Sequence, residues 1–189
     1  MAEKPRTYCE AVAQMQHPNV HIEYHDTEYG FPIESDNQLF GRLILEINQA
    51  GLSWTTILNK KAHFHRAYSG FDIQTVANYS DLDRQRLLQD EGIIRNRLKV
   101  EAAIHNAQKI LDLQAQHGSF KNWLDTHHPK SKQEWVKLFK KTFRFTGGEI
   151  TNEFLMSTGY LPGAHDASCP VYHRLVQEKP KWMEVKKGQ

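Results

Sequence analysis

The stretch SDLDRQRLLQDEGIIRNRLKVEAAIHNAQKIL, Ser80–Leu111, decides how the rest of the chain is read. Ser80 carries the short hydroxyl side chain that caps helix N-termini, and the pattern after it predicts a helix over Ser80–Asp90. The turn EGIIRN follows. Val100, Ala103, Ile104, Ala107, Ile110 and Leu111 then recur at the short intervals of one buried helix face. Two helices joined by a short glycine-containing turn form a helical hairpin. The other periodic segments mostly carry the same 3.6-residue signature, with no internal repeat or low-complexity tract, so the fold is predicted to be all-α.

Upstream, Asp36 is the predicted cap of a helix in which Leu39, Phe40, Leu43, Ile44 and Ile47 share a face, and Gly51 marks its end. Glu46 falls within about 20° of Leu39 on a helical wheel, which puts its carboxylate at the rim of the core, an unusual place for an acid. WTTILNKKAHFHRAYSG predicts a further helix that stops at Gly70, and everything before Asp36 reads as irregular. Downstream of the hairpin, shorter helices are predicted over Phe120–Thr126, Gln133–Lys141 and Glu149–Ser157, the last closing at Gly159. Pro170 suits the first turn of one more helix, ending before Pro180. The tail Lys179–Gln189 has little to bury and is predicted to be disordered, leaving 1–178 as the folded core of a single domain over 1–189.

A chain of 189 residues with 39% hydrophobic content is long enough to bury a sizeable core in one domain. MAEKPRTYCE contains no apolar leader region, and no apolar run approaches the ~20 residues of a membrane span, so a cytoplasmic protein with no membrane partner is expected. A net charge of +2 and a pI near 8.5 are compatible with nucleic acid without requiring it. Neither a G-x-x-x-x-G-K-[ST] phosphate loop nor a G-x-S-x-G nucleophile turn is present. The two cysteines, in a reducing compartment, read as thiols or metal ligands rather than a disulfide. His165 and Cys169 have the spacing at which one turn supplies two zinc ligands, and Cys9 and His25 could complete a set of four. A buried thiol and a surface histidine would give the same spacing, which alone leaves both readings open.

LEINQAGLSW (Leu45–Trp54), EYHDTEYGFP (Glu23–Pro32) and LLQDEGIIRNRLK (Leu87–Lys99) together resemble the DNA-3-methyladenine glycosylase I family, bacterial enzymes of the helix-hairpin-helix DNA glycosylase superfamily. The likeness runs in matching order from about Cys9 to about Cys169, and the acid followed by QAGLSW is its most specific part. The resemblance implies one compact two-lobed domain with a single structural zinc, held by Cys9, His25, His165 and Cys169 as a clasp joining the chain ends. It also implies a monomeric DNA repair enzyme that flips 3-methyladenine out of double-stranded DNA and hydrolyses its glycosyl bond, leaving an abasic site without lyase chemistry. Glu46 would be the catalytic residue of the site, its carboxylate complementing the charge of the base, with Tyr24, Tyr29, Trp54 and His21 around the base. DNA contacts are expected from the hairpin, at Gly92, Arg95, Arg97 and Lys99, and from Gly51 and Leu52 filling the gap left by the flipped nucleotide. A basic run at Lys130, Lys132, Lys137, Lys140, Lys141 and Arg144 is either a further DNA contact or a solvated helix face.

Several positions depart from the family pattern. Glu10 and Ala11 stand where glycine and tryptophan usually follow the first cysteine, His21 stands in place of a tyrosine, Tyr29 in place of a tryptophan, and Ile47 where glycine is frequent. Leu98 replaces a hairpin glycine, and GGEIT takes the place of a sequence richer in threonine. A reshaped pocket changes which base fits, so excision of a different alkylated purine, and zinc-containing damage binding without hydrolysis, are the alternative readings.

Overall fold

The N-cap residues explain most of the helix starts. In the computed structural model, which describes residues 5–184, eleven α-helices are present and no strand among the described residues. They are α1 (Tyr8–Ala13), α2 (Val20–Thr27), α3 (Asp36–Gln49), α4 (Trp54–Ala67), α5 (Ile73–Ala77), α6 (Asp81–Gln89), α7 (Arg97–His117), α8 (Phe120–His127), α9 (Lys132–Thr142), α10 (Gly148–Ser157) and α11 (Pro170–Gln177). From α1 to α9 each helix begins after a Ser, Thr, Asn or Asp whose side chain accepts a backbone N–H of the first turn. Ser80 and Ser131 do so within reciprocal capping boxes closed by Asp83 and Glu134. Each such cap contributes about 1 kcal/mol.

The hairpin forms as predicted, with α6 and α7 joined through residues 90–96 and packed together. A continuous core runs from Leu39 on α3 to Tyr160 beyond α10, and α7 contributes Val100, Ala103, Ile104, Ala107, Ile110 and Leu113 to it. Helix α3 lies inside this core: every residue from Leu39 to Asn48 is buried, with α4, α5, α7, α8 and α10 packed around it. Its cap is Ser35 rather than the expected Asp36. Asp36 instead accepts from the backbone N–H groups of Phe120 and Lys121 and from Gln114 Nε2, at 2.7, 2.9 and 2.7 Å, which couples α3 to the start of α8. At the other end of α3 the carbonyls of Asn48 and Ala50 accept from Lys99 Nζ at 2.9 and 2.8 Å, a cation placed where the helix dipole favours one.

Two further expectations are corrected. The segment before Asp36 is not irregular, since it holds α1 and α2. Their sequences carry no clear apolar stripe, and tertiary packing of Tyr24 and His25 holds α2 where periodicity gave no signal. The tail is ordered as far as Glu184: Pro180 is buried and the N–H of Trp182 donates to the carbonyl of Gly159 at 3.0 Å. The rest of the predicted disordered segment, 185–189, lies outside the described residues. No helix of the described chain is long and apolar enough to cross a membrane.

Gly30 joins the chain's two ends. Its φ is +84°, its N–H donates to the carbonyl of Ser157 at 2.9 Å, and a Cβ there would stand 2.6 Å from the Cβ of Ala164. Gly30→Ala is therefore expected to lower stability by about 2–4 kcal/mol, combining left-handed strain with overpacking. Urea unfolding measures this as a lower midpoint at unchanged slope, and an unchanged midpoint would contradict the close approach.

Candidate functional site

Glu46 sits three turns into a helix buried on all sides, so it inherits that burial: it is 4% exposed, enclosed rather than at the rim predicted from the helical wheel. Ser157, the last residue of α10, donates to Glu46 Oε1 at 3.3 Å. Arg42, one turn earlier on α3, is also buried. Its Nη1 donates to the hydroxyl of Tyr24 at 2.8 Å and its Nη2 to Glu28 at 3.1 Å, while Glu28 also pairs with Lys61. Glu28 thus answers much of the guanidinium charge. Tyr24 from α2, Tyr29 just after it and Trp54 at the start of α4 pack as rings, with centroid separations of 5.5 Å for the two tyrosines and 5.2 Å for Tyr24 and Trp54. Trp54 is the half-exposed member. Tyr29 donates its hydroxyl to Glu153 Oε2 at 3.4 Å, which brings a second carboxyl to the site.

Burial pushes Glu46 up to about 8, Arg42 opposes the shift, Glu153 adds to it and the Ser157 hydrogen bond opposes it. Burial also raises Glu153. The phenols of Tyr24 and Tyr29 are held well above their ordinary range by burial, so both remain hydrogen-bond donors near neutrality. Such a site suits a cation: an acid that is neutral by itself ionises when a positive charge enters beside it. A cleft of about 450 Å³ beside Arg42 is lined by Glu28, Phe31, Lys61 and Phe71, and Glu46 is not among its lining residues.

His21 is placed at one remove. Its Nδ1 pairs with the hydroxyl of Tyr8 at 2.9 Å and its Nε2 with Thr55 Oγ1 at 2.8 Å, so it ties α1 to α4 behind the ring cluster. Tyr8 stands edge-on to Tyr29 at 5.5 Å.

Cys9, His25, His165 and Cys169 come together from the two ends of the chain, their ligand atoms all within 4.8 Å of one another. Cys9 Sγ lies 3.3 Å from His25 Nε2 and 3.7 Å from His165 Nδ1, and Cys169 Sγ lies 3.7 Å from each. Tetrahedral zinc with ordinary bond lengths separates sulfur from nitrogen by ~3.6 Å. The remote ring nitrogens are engaged as well: His25 Nδ1 pairs with Asp26 at 2.7 Å and His165 Nε2 donates to the carbonyl of Tyr29 at 2.8 Å. That orients the other nitrogen of each ring toward the sulfurs, the arrangement of a supported metal site. The group can hold a metal ion.

The predicted DNA contacts divide. Gly51 and Leu52 form an exposed turn after α3, with Gly51 at φ +81°. Arg95 and Arg97 are exposed on the hairpin, Arg95 alongside Glu91 at 3.4 Å. Gly92 is instead packed under His63, where a Cβ would lie 2.8 Å from Nδ1, and its N–H already donates to Asp90 at 2.7 Å. Lys99 is corrected outright: it is buried, and its ammonium caps α3 rather than facing a phosphate. Of the basic run, Lys132, Lys137, Lys140, Lys141 and Arg144 are exposed and Lys130 is half-buried.

The sequence model of the methyladenine glycosylase family matches residues 14–136, which include Glu46, the three rings and the hairpin. The chain belongs to this family. DNA-3-methyladenine glycosylase 1 of Escherichia coli (strain K12) is 33% identical over 172 residues, covering 81% of this chain and 91% of that protein. The DNA-3-methyladenine glycosylase of Haemophilus influenzae is 32% identical over 171 residues, covering 80% and 92%. The crystal structure of 3-methyladenine DNA glycosylase I matches with a TM-score of 0.74 at 31% identity, covering 83% of this chain and 96% of that one. A structure addressing 3-methyladenine recognition by the Staphylococcus aureus enzyme matches with a TM-score of 0.74 at 30% identity, covering 82% and 93%. Of the four clustered Cys and His residues, only His25 falls within the family match.

The ring and acid positions expected of a methyladenine glycosylase are brought together, and Arg42, Glu153, Ser157, Tyr8 and Thr55 join them without having been anticipated. Arg42 had a signal, a cation four residues before the acid within an apolar stripe. Glu153 and Ser157 had none, because they reach Glu46 only through the packing of α10 on α3.

Folding favours the neutral form of Glu46, so its contribution to stability is fully present below about pH 4.5 and is lost as pH rises through about 8. Glu46→Gln removes that loss. The variant is expected to exceed the parent in stability by about 1–4 kcal/mol at pH 9 and to match it near pH 5. Urea titrations at the two pH values measure the difference, and equal offsets at both would exclude ionisation of Glu46 as the cause.

Proposed function

We propose that this chain excises 3-methyladenine from alkylated double-stranded DNA by hydrolysis, leaving an abasic site, and that it acts as a monomer in the cytoplasm. The observation that carries the reading is the burial of Glu46 within electrostatic reach of Tyr24 and Tyr29, with Trp54 packed on Tyr24. Alkylation at N3 leaves the adenine cationic and its glycosyl bond already weakened, so recognition and positioning are the larger tasks. Flipping costs a few kcal/mol, less for a damaged base. Trp54, half-exposed at the first turn of α4, is the ring through which the base would enter. Each aromatic face contributes ~0.5–2 kcal/mol of cation–π attraction. As the cation arrives Glu46 releases its proton to solvent water, and the carboxylate then accepts from the exocyclic amine and opposes the positive charge. A neutral base gains neither interaction. Water adds to the sugar carbon as the glycosyl bond breaks, the bonding pair leaves with the base and cancels its charge, and the water's surplus proton passes to solvent; with no lysine as nucleophile the product is the free base without strand cleavage.

We further propose that the metal is zinc, bound by Cys9, His25, His165 and Cys169. It would supply a fourfold cross-link between the helices α1 and α2 and the segment ahead of α11, which steadies the backbone that carries Tyr24 and Tyr29. The sulfur–nitrogen distances and the oriented imidazoles support this choice. A preference for a different alkylated purine is the second reading, favoured by Glu153, an additional acid at the site.

A duplex carrying a single 3-methyladenine is expected to release free base in single turnover. Glu46→Gln is expected to slow release by about a hundredfold or more while the duplex is still bound. For the parent, kcat/KM is expected to rise with pH through about 8, as Glu46 becomes able to ionise, and this rise disappears in the variant. Release of another alkylpurine in preference would favour the second reading, and binding with no release of any base would refute hydrolysis. Metal analysis of chelator-free protein is expected to find about one zinc per chain, with Cys169→Ser losing it and melting at lower temperature. Absence of metal in well-folded protein would remove the clasp.

A further inference from the structure

Three apolar side chains of the kind a core ordinarily hides are exposed on segments that adjoin Lys99 or the carbonyls it bonds. Leu52, Leu98 and Phe145 are 38%, 69% and 37% exposed, and they come from the turn after α3, the first turn of α7 and the loop between α9 and α10. Lys99 bridges two of these segments. Its Nζ bonds the carbonyls of Asn48 and Ala50 at 2.9 and 2.8 Å and lies 5.9 Å from the centre of the Phe145 ring. The ring is therefore no more than about three base-pair rises, at ~3.4 Å each, from the carbonyl preceding Gly51 and Leu52.

Phe145 is held in place at an energetic cost. Its φ is +60°, in the left-handed region that disfavours an aromatic residue. The backbone on both sides is clamped by buried polar groups. Asn106, wholly buried, accepts from Arg144 N at 2.8 Å and donates to the Arg144 carbonyl at 3.0 Å. Thr146 Oγ1, also buried, lies 3.1 and 3.2 Å from the carbonyls of Phe139 and Phe143. Interior bonds thus lock residues 144 and 146 while the ring between them keeps about a third of its surface in solvent. Lys140 and Arg144 beside it are exposed cations, and the hairpin that leads into Lys99 carries two more, Arg95 and Arg97. Apolar wedges framed by positive charge are complementary to a nucleic-acid duplex, whose bases stack and whose backbone is anionic.

We propose that Phe145 is a second apolar contact to the duplex, stacking on a nucleobase beside the position served by the Gly51–Leu52 turn. The inference rests on the DNA reading above and adds a contact surface that neither the turn nor the hairpin provides.

The test uses the full chain and a duplex containing a stable abasic-site analogue next to 2-aminopurine. Phe145→Gly removes the ring and relieves the left-handed strain together, whereas Phe145→Trp keeps a stacking surface. Phe145→Gly is expected to bind the duplex about tenfold or more weakly and to lose most of the 2-aminopurine fluorescence change, with a melting temperature equal to or above the parent's. Its dependence of log K on log salt should keep the parent slope, since no phosphate contact is removed. Phe145→Trp should stay within about threefold of the parent. Unchanged affinity and fluorescence in Phe145→Gly would overturn the proposal, as would a lower melting temperature with a shallower salt slope, which would make the ring structural. Self-association of the parent that Phe145→Gly abolishes would assign the face to a second copy and also overturn it. If the parent itself fails to bind the duplex, the DNA reading falls first; if the parent binds and releases base while Phe145→Gly matches it, only this inference falls.

Discussion

An ionised carboxylate taken out of water loses several kcal/mol of solvation, and the surroundings of Glu46 do not fully return it. One serine hydroxyl reaches it at 3.3 Å, and the nearest guanidinium is already engaged by Glu28 and Tyr24. Glu153 adds a second acid to the neighbourhood and pushes in the same direction as burial. The outcome is an acid poised slightly above neutral pH, neutral when alone and charged when a cation shares its space. The proposed preference for a cationic base follows from this incomplete solvation more than from any single contact.

That poise depends on the enclosure staying closed. Helix α3 is clasped at both ends by groups distant in sequence, Asp36 bonding the start of α8 and Lys99 capping the carbonyls before Gly51. The aromatic side of the site comes from α2 and the residues after it, a segment too short and too polar to hold its position through its own burial. His165 bonds the carbonyl of Tyr29, Gly30 bonds the carbonyl of Ser157, and the Cys/His cluster gathers both chain ends beside them. The proposed metal and the proposed base pocket are therefore neighbours through Tyr29. The clasp would hold in register the one wall that the main core does not.

Legibility in the sequence followed the range of the interaction. The hairpin, α3, α4 and α8 to α11 were readable because caps and apolar periodicity act within one or two turns. Helices α1 and α2 were not, since no stripe announces them, and α5 was missed because a helix of five residues carries too little pattern. For the site, residue identity was legible and environment was not. A helical wheel put Glu46 at an edge because it knows only its own helix, and α10 packs on α3 there, with Ser157 reaching the carboxylate. Lys99 looked like a phosphate contact beside two arginines, yet the end of α3 lies within reach of its ammonium and takes it out of solvent. Phe145 gave no signal at all: it is one aromatic in TFRFTG, and only the lock made by Asn106 and Thr146 distinguishes it from Phe143 beside it, which is buried.

The amino-acid order alone determined where most helices begin and end, which stripe of each faces inward, and which acid, rings, cysteines and histidines were available for chemistry. Those are consequences of short-range sterics, capping and periodicity. Tertiary structure alone decided that Glu46 is enclosed and poised near neutrality, that Glu153 and Arg42 share its field, that Lys99 serves a helix end, and that Phe145 is left outside. Desolvation and electrostatics depend on everything within several ångströms, and which residues lie that close is known only once the chain has closed upon itself.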